Sequence, residues 1–189
     1  VSRTNWTSPK TSTIDSMELL QRNGYRLRAP EPEDLGCMMR FENTPSLWEV
    51  SNATGPYSRF HLKQYIETNQ NDIYTDGQLR LMLESPDKQV VGIIDICNFE
   101  AFHNRAEVGI VIDESYRNQG LGSLSLSMLI EHCFQYLGIR QLYAYIDVTN
   151  EPCLRLFEKA GFEKCAYLKD WMRTGKTYRD VVMVQLLNR

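Results

Sequence analysis

Apolar residues recur at helical spacing in a few stretches of this chain and alternate with polar ones in many more. Between residues 120 and 137, Leu126, Leu129, Ile130, Cys133 and Leu137 fall on one helix face, and Gly138 stops the run. Residues 150–160 predict a shorter helix, with Asn150 suited to its cap, Pro152 in its first turn and Gly161 past its end. Two further helices are predicted over 33–42, where Leu35, Met38, Met39 and Phe41 are apolar, and over 61–69. Strands are predicted over 25–28, 78–84, 90–98, 106–112, 141–146, 162–172 and 178–187. Thr174-Gly175-Lys176 joins the last two as a hairpin, and 75–77 and 85–88 read as turns. Residues 44–60, with two prolines, Gly55, Trp48 and Tyr57, read as a long loop. The order β-α-α-β-β-β-α-β-α-β-β predicts an α/β chain of the α+β kind, with about seven strands and about four helices. Its sheet is mixed and mostly antiparallel, not doubly wound. Residues 1–20 lack periodicity and read as a flexible leader, leaving 21–189 as a single domain.

Composition narrows the function classes. A chain of 189 residues with 42% hydrophobic and 24% charged positions supports one core. No apolar run approaches ~20 residues, so no membrane span is expected. The cysteines, at 37, 97, 133, 153 and 165, are odd in number and form no CxxC pair. Free thiols in a reducing cytoplasm are expected, with neither a disulfide framework nor a zinc ribbon. His61, His103 and His132 have no ligand spacing, so no metal site is expected. A net charge of −3 argues against a nucleic-acid partner. Residues 1–100 hold 14 acids and 10 bases, a slight tilt toward a cationic ligand.

One segment carries chemistry. A strand that starts near Glu107 runs through Ile110, Val111 and Ile112 into Arg117-Asn118-Gln119-Gly120-Leu121-Gly122-Ser123, which opens the long helix. The first amides of a helix lack internal acceptors and face outward at the positive end of its dipole, which suits an anion. Glycines at 120 and 122 let a phosphate approach the backbone, and Arg117 adds a charge-assisted donor. A Walker loop is excluded, since no lysine lies between Arg117 and His132. A dinucleotide fingerprint is excluded by Ser125, where it requires glycine. What remains is R-x-x-G-x-G.

At these residues the chain resembles the GNAT superfamily of acetyl-CoA-dependent N-acetyltransferases, whose signature is [QR]-x-x-G-x-[GA] after a strand. A second segment, from Asn150 to Gly161-Phe162, resembles the family's N-x-x-[AS]-x-x-[LF]-[YF]-x-x-x-G-F, with Cys153 in the small-residue position. A third, Arg26-Leu27-Arg28 followed by Glu33-Asp34-Leu35, is similar to the start of the branch holding ribosomal-protein N-terminal and spermidine or diamine acetyltransferases. The resemblance spans residues 24–188. It implies a GNAT-type sheet splayed between strands 4 and 5, with acetyl-CoA as cosubstrate. The pyrophosphate would lie on Arg117–Ser123, the pantetheine beside Ile110, Val111 and Ile112, and Asn150 would reach the cofactor amide.

The reaction the resemblance implies is acetyl transfer to a primary amine by direct attack. It leaves a polyamine, another small-molecule amine or a protein N-terminus as the acceptor, and a homodimer is compatible with it. An alkylammonium, with a reference pKa of ~10.4, must first lose a proton, and Glu107 is the expected base, with Asp95 as substitute. A strand amide near Val111 is the expected donor to the oxyanion. Trp48 and Glu49 are expected to meet the cationic acceptor. In many relatives a tyrosine credited as the acid stands where this chain has Phe157, whose ring is expected to wall the thioester. Tyr116, Tyr143 and Tyr145 are alternative donors, and Cys153 is a small packing residue. The alternative function is a CoA-binding sensor or scaffold with little turnover.

Overall fold

The computed structural model describes residues 16–48 and 55–189. Its strands are β1 (Gln21–Arg22), β2 (Tyr25–Arg28), β3 (Leu79–Glu84), β4 (Val90–Glu100), β5 (Arg105–Ile112), β6 (Gln141–Asp147), β7 (Glu163–Thr174) and β8 (Thr177–Leu187). They form one sheet in the order β1-β2-β3-β4-β5-β6-β8-β7. Every neighbouring pair is antiparallel except β5 and β6. The helices are α1 (Ser16–Leu19), α2 (Leu35–Glu42), α3 (Pro45–Trp48), α4 (Arg59–Thr68), α5 (Ile73–Asp76), α6 (Leu121–Glu131) and α7 (Glu151–Lys159).

Strand alternation sorts the side chains to two faces. On one face Ile94, Ile96, Ala106 and Val108 pack with Leu126, Met128 and Leu129 of α6 and Phe157 of α7. On the other, Met82 and Ile93 pack with Leu35, Met38 and Phe41 of α2 and Leu62 of α4. Each such fully buried aliphatic side chain stabilises the fold by about 1.5–3 kcal/mol. At the far edge, Glu84 takes charge-assisted bonds from Arg26 (2.8 Å) and Arg28 (2.5 Å), and Arg28 also binds Asp34. This network ties the entry of α2 to β2 and β3.

The structure departs from the expected elements at a few places. A two-residue strand, β1, precedes the first predicted one, because Asn23 (φ 53°) and Gly24 (φ 80°) turn the chain back. The expected turn near 75–77 is a one-turn helix, α5. Asp72 accepts from the Tyr74 amide at its start, and Gly77 ends it in the left-handed region. The long helix stops being α-helical at Glu131 and continues as a π-turn over His132–Tyr136. Part of the expected long loop is helical as α3, and α4 begins at Arg59. No helix among the described residues is long and apolar enough to cross a membrane.

The relationship that positions the site is the β5–β6 pair. These strands pair only at Arg105↔Gln141, Ala106↔Leu142 and Glu107↔Tyr143. Beyond Glu107, β5 stays paired with β4 through Ile112, while β6 stays paired with β8 through Asp147. The two strands diverge, and a split opens between them. This is the splay expected between predicted strands 4 and 5, which are β5 and β6 once β1 is included.

Candidate active site

The split leads into a cavity of about 550 Å³ on the α2 and α4 side of the sheet. Glu107 stands at its inner end, on the last paired rung. Its Oε2 accepts a bond from Asn98 Nδ2 at 2.7 Å. Asn98 holds a left-handed backbone (φ 49°) at a register shift in β4, a conformation asparagine tolerates better than most residues. The bulge thus aims the amide at the carboxylate.

Asp95 also reaches the cavity, but it is occupied. Arg80 on β3 grips it with two bonds, Nε to Oδ1 at 2.9 Å and a terminal nitrogen to Oδ2 at 2.7 Å. A third donor of Arg80 binds Glu42 of α2. The guanidinium stands 5.6 Å from the Tyr65 ring centroid. The flanking carboxylates push the Arg80 pKa up against the opposing effect of its burial, so it stays cationic. Three carboxylates (Glu42, Asp95 and Glu107) face one guanidinium among the described lining residues. Of the three, Glu107 has an amide partner and no cation among the described residues.

Backbone direction decides which amides face the split. The Asp113 amide donates to Val91 of β4 at 2.9 Å, and the ladder runs without a bulge from Gly92↔Ile112 to Cys97↔Glu107. Amides alternate between the two edges of a strand. Val111 therefore points its N–H at β4, and Ile110 and Ile112 point theirs into the split. Near Val111, where the oxyanion donor is expected, the amides open to the split are therefore those of Ile110 and Ile112. On β6 the Val148 amide bonds Asp180 in the β8 ladder, so the backbone of Tyr145, of opposite parity, faces the split.

The glycine turn lies where β5 ends. Gly120 caps α6 in the left-handed region (φ 79°), and the Leu124 amide makes the first bond back, to Gly120 O at 3.0 Å. The amides of Leu121, Gly122 and Ser123 precede that first bond and lack intrahelical acceptors. Asn118 is also left-handed, and Gln119 Nε2 reaches Ser115 O at 3.3 Å. Arg117 is half-exposed, holding Ile112 O at 3.3 Å and Glu114 at 3.8 Å, so its guanidinium retains donors for a phosphate. A Cβ at Gly122 would stand 3.2 Å from Leu156 Cδ2 of α7 and 4.0 Å from Ile112 Cγ1. Gly122 is therefore a close-approach glycine between two helices and the split. Arg40 of α2 pairs with Asp113 at 2.9 Å, tying the cavity wall to this turn.

Asn150 caps α7, its Oδ1 accepting the Cys153 amide at 3.3 Å, which leaves its amide hydrogens for another partner. Asp147 holds that turn by accepting from Thr149 and from Arg179 at 3.0 Å. The Cys153 thiol is pushed up to about 11 by burial, which suits the packing role expected of it.

Phe157 requires a correction. Its ring is 1% exposed and packs edge-on against Phe162 at 4.9 Å, in the core rather than against the split. Helical rotation sends it inward, and it walls no part of the cavity. Tyr116 packs against the same core. Tyr143 is buried, and that burial, with the Glu107 charge next in effect, holds its phenol up to about 12. Tyr145, by contrast, lines the cavity beside Trp171 and Met172 from the closing hairpin. The side chain of Trp48 and the whole of Glu49 lie outside the described residues, so their expected contact with the acceptor has no structural counterpart here.

Arg80, Asn98 and Trp171 were not anticipated from the sequence. For Arg80 a signal existed: an arginine inside the apolar run Leu79–Leu83, with a carboxylate available on the next strand, announces a buried pair. Asn98 and Trp171 had no such local mark.

The model of the acetyltransferase (GNAT) domain matches residues 25–163. An uncharacterized N-acetyltransferase, p20, of Bacillus licheniformis is 24% identical over 176 residues, 92% of this chain and 98% of that protein. Spermidine N(1)-acetyltransferase of Escherichia coli K12 is 26% identical over 160 residues, 85% of this chain and 84% of that one. The structure of spermidine N-acetyltransferase from Vibrio cholerae in complex with CoA and spermine superposes with a TM-score of 0.81. It covers 88% of this chain and 97% of that one at 20% identity, a likeness of fold.

Proposed function

The chain belongs to the acetyltransferase (GNAT) family, whose members draw the acetyl group from acetyl-CoA, and on that premise we propose that it acetylates a primary amine of a polyamine, with Glu107 as the base. The observation that carries this reading is the position of Glu107, a carboxylate with no cationic partner among the described residues, at the inner end of the split. Three carboxylates against one guanidinium favour a cation in the cavity, and Tyr145, Trp171 and Tyr57 supply aromatic surface for its alkylammonium groups. The spermidine acetyltransferases among its relatives point to the same acceptor class.

In this reading the pyrophosphate takes the amides of Leu121, Gly122 and Ser123, with Arg117, Asn118, Gln119 and Gly120 around it. The pantetheine pairs with the open edge of β5 at Ile110 and Ile112, much as an added strand would, and passes Val111. Asn150 meets its amide from the other side. The bound ammonium gives a proton to Glu107, the freed nitrogen attacks the thioester carbon, and the Ile110 amide receives the oxyanion.

The experiment is thiol release from acetyl-CoA across spermidine, simple diamines, aminoglycosides, amino acids and N-terminal peptides. The highest kcat/KM is expected with the polyamine. A preference for amino acids or peptides would overturn the acceptor assignment.

A further inference from the structure

The reaction ends with a thiolate, and the structure removes the residue from which relatives would protonate it, since Phe157 has no proton and lies in the core. We propose that Tyr145 is the catalytic residue that protonates the departing CoA sulfur. This rests on acetyl transfer occurring in the split, and not on which amine is the acceptor.

Its position makes the assignment. Glu107↔Tyr143 is the last paired rung, so Tyr145 is the first residue past it on the same face of β6. Continued in register it stands opposite Gly109, which has no side chain to fill the gap, and both residues line the cavity. A thioester lying against Ile110 is therefore bordered by Tyr145 across the split. The ring is held on both sides, edge-on by Tyr143 at 5.7 Å and stacked on Trp171 at 6.0 Å. Its hydroxyl has no hydrogen-bond partner among the described residues. The rival donors are disposed of by place or chemistry. Tyr116 is not among the described lining residues, and Tyr143 is buried before the split opens. The Cys97 thiol, though in the cavity, is held up to about 12, first by burial and then by the Glu107 charge. Tyr57 lines the opposite wall, beside Asn43 at the end of α2.

The step balances. As the tetrahedral adduct collapses, the C–S bond breaks and its electron pair goes to sulfur. Sulfur takes the phenolic proton, giving the free thiol and a phenolate. The new amide nitrogen still carries two hydrogens and a positive charge, and it returns one proton to the phenolate. The proton first taken by Glu107 leaves to solvent. Phenols ordinarily titrate near ~10 and thiols near ~8.5, so the first transfer alone is uphill. Return of the far more acidic amide proton carries the cycle downhill.

The test is Tyr145→Phe, which keeps the ring and its stacking. Its kcat should fall by ~10²-fold, with CoA affinity by calorimetry and melting temperature unchanged. The basic limb of the wild-type kcat profile should disappear in the variant. Replacement of Tyr145 by 3-fluorotyrosine, whose phenol is more acidic, should move that limb to lower pH at near-native rate. Tyr116→Phe, at a residue outside the cavity lining, should leave the limb in place. Full turnover of Tyr145→Phe, or an unmoved basic limb in either Tyr145 variant, overturns the proposal while leaving acetyl transfer intact. Wild-type protein that releases no thiol with any amine removes the acetyl-transfer reading, and this one with it.

Discussion

Asn98 donates a 2.7 Å hydrogen bond to one carboxylate oxygen of Glu107, across the bulge in β4. The other oxygen has no protein donor among the described residues and is left for the substrate. If this carboxylate is the base, Glu107→Gln keeps the bond geometry and removes the proton acceptor. Its kcat should fall by ~10²–10⁴-fold, and the acid limb of the pH–rate profile should flatten. Acetyl-CoA affinity should hold. Steady-state kinetics beside calorimetry checks both.

Asn98→Asp places a second carboxylate against the first. Like charges at that spacing disfavour ionisation, so the base protonates more readily. The acid limb of kcat/KM should move to higher pH, with the plateau rate nearly retained. An unmoved limb would mean that Glu107 does not govern it.

Among the described residues Arg117 makes only long contacts, at 3.3 and 3.8 Å, from a half-exposed position. Arg117→Ala should therefore change stability by less than about 0.5 kcal/mol. Loss of a charge-assisted phosphate contact should weaken CoA binding by roughly tenfold, with the deficit shrinking as salt rises. Titration calorimetry at two ionic strengths reads this directly.

Phe157 is a core residue, so its substitutions test packing. Phe157→Ala should cost on the order of 3–5 kcal/mol. Phe157→Tyr adds a hydroxyl where the ring is 1% exposed, and without a partner it should cost about 1–3 kcal/mol without raising kcat. Denaturant melts and kcat measured on the same samples separate the two effects.

His132 is buried in the π-turn, stacked on Tyr136 at 5.2 Å, and its Nδ1 has no partner among the described residues. Burial lowers its pKa from the ordinary 6.5. The folded state therefore holds the ring neutral while the unfolded chain takes up a proton. Stability is fully present above pH 6.5 and is lost as pH falls from there through the lowered folded value. His132→Phe should flatten the melting temperature across that window, as thermal denaturation at stepped pH would register.

The order of elements was legible along the chain because its causes are local. Asn150 caps α7 through an amide three residues away, Gly120 takes a conformation its own backbone allows, and apolar period distinguishes α6 from β5. The glycine turn and the Asn150 segment identified the family for the same reason. What the tertiary structure decided depends on groups distant in sequence. Arg80 meets Asp95 and Glu42, fifteen and thirty-eight positions away, and thereby engages two of the three cavity carboxylates. The direction of Phe157, the neighbour that Gly122 approaches and the arrival of Trp171 beside Tyr145 follow from how helices and hairpin pack on the sheet. Which amide faces the split follows from a ladder with β4 that no residue of β5 determines alone. Periodicity specifies which face of an element is apolar; only packing specifies what that face meets, and the chemistry of this site is set by those meetings.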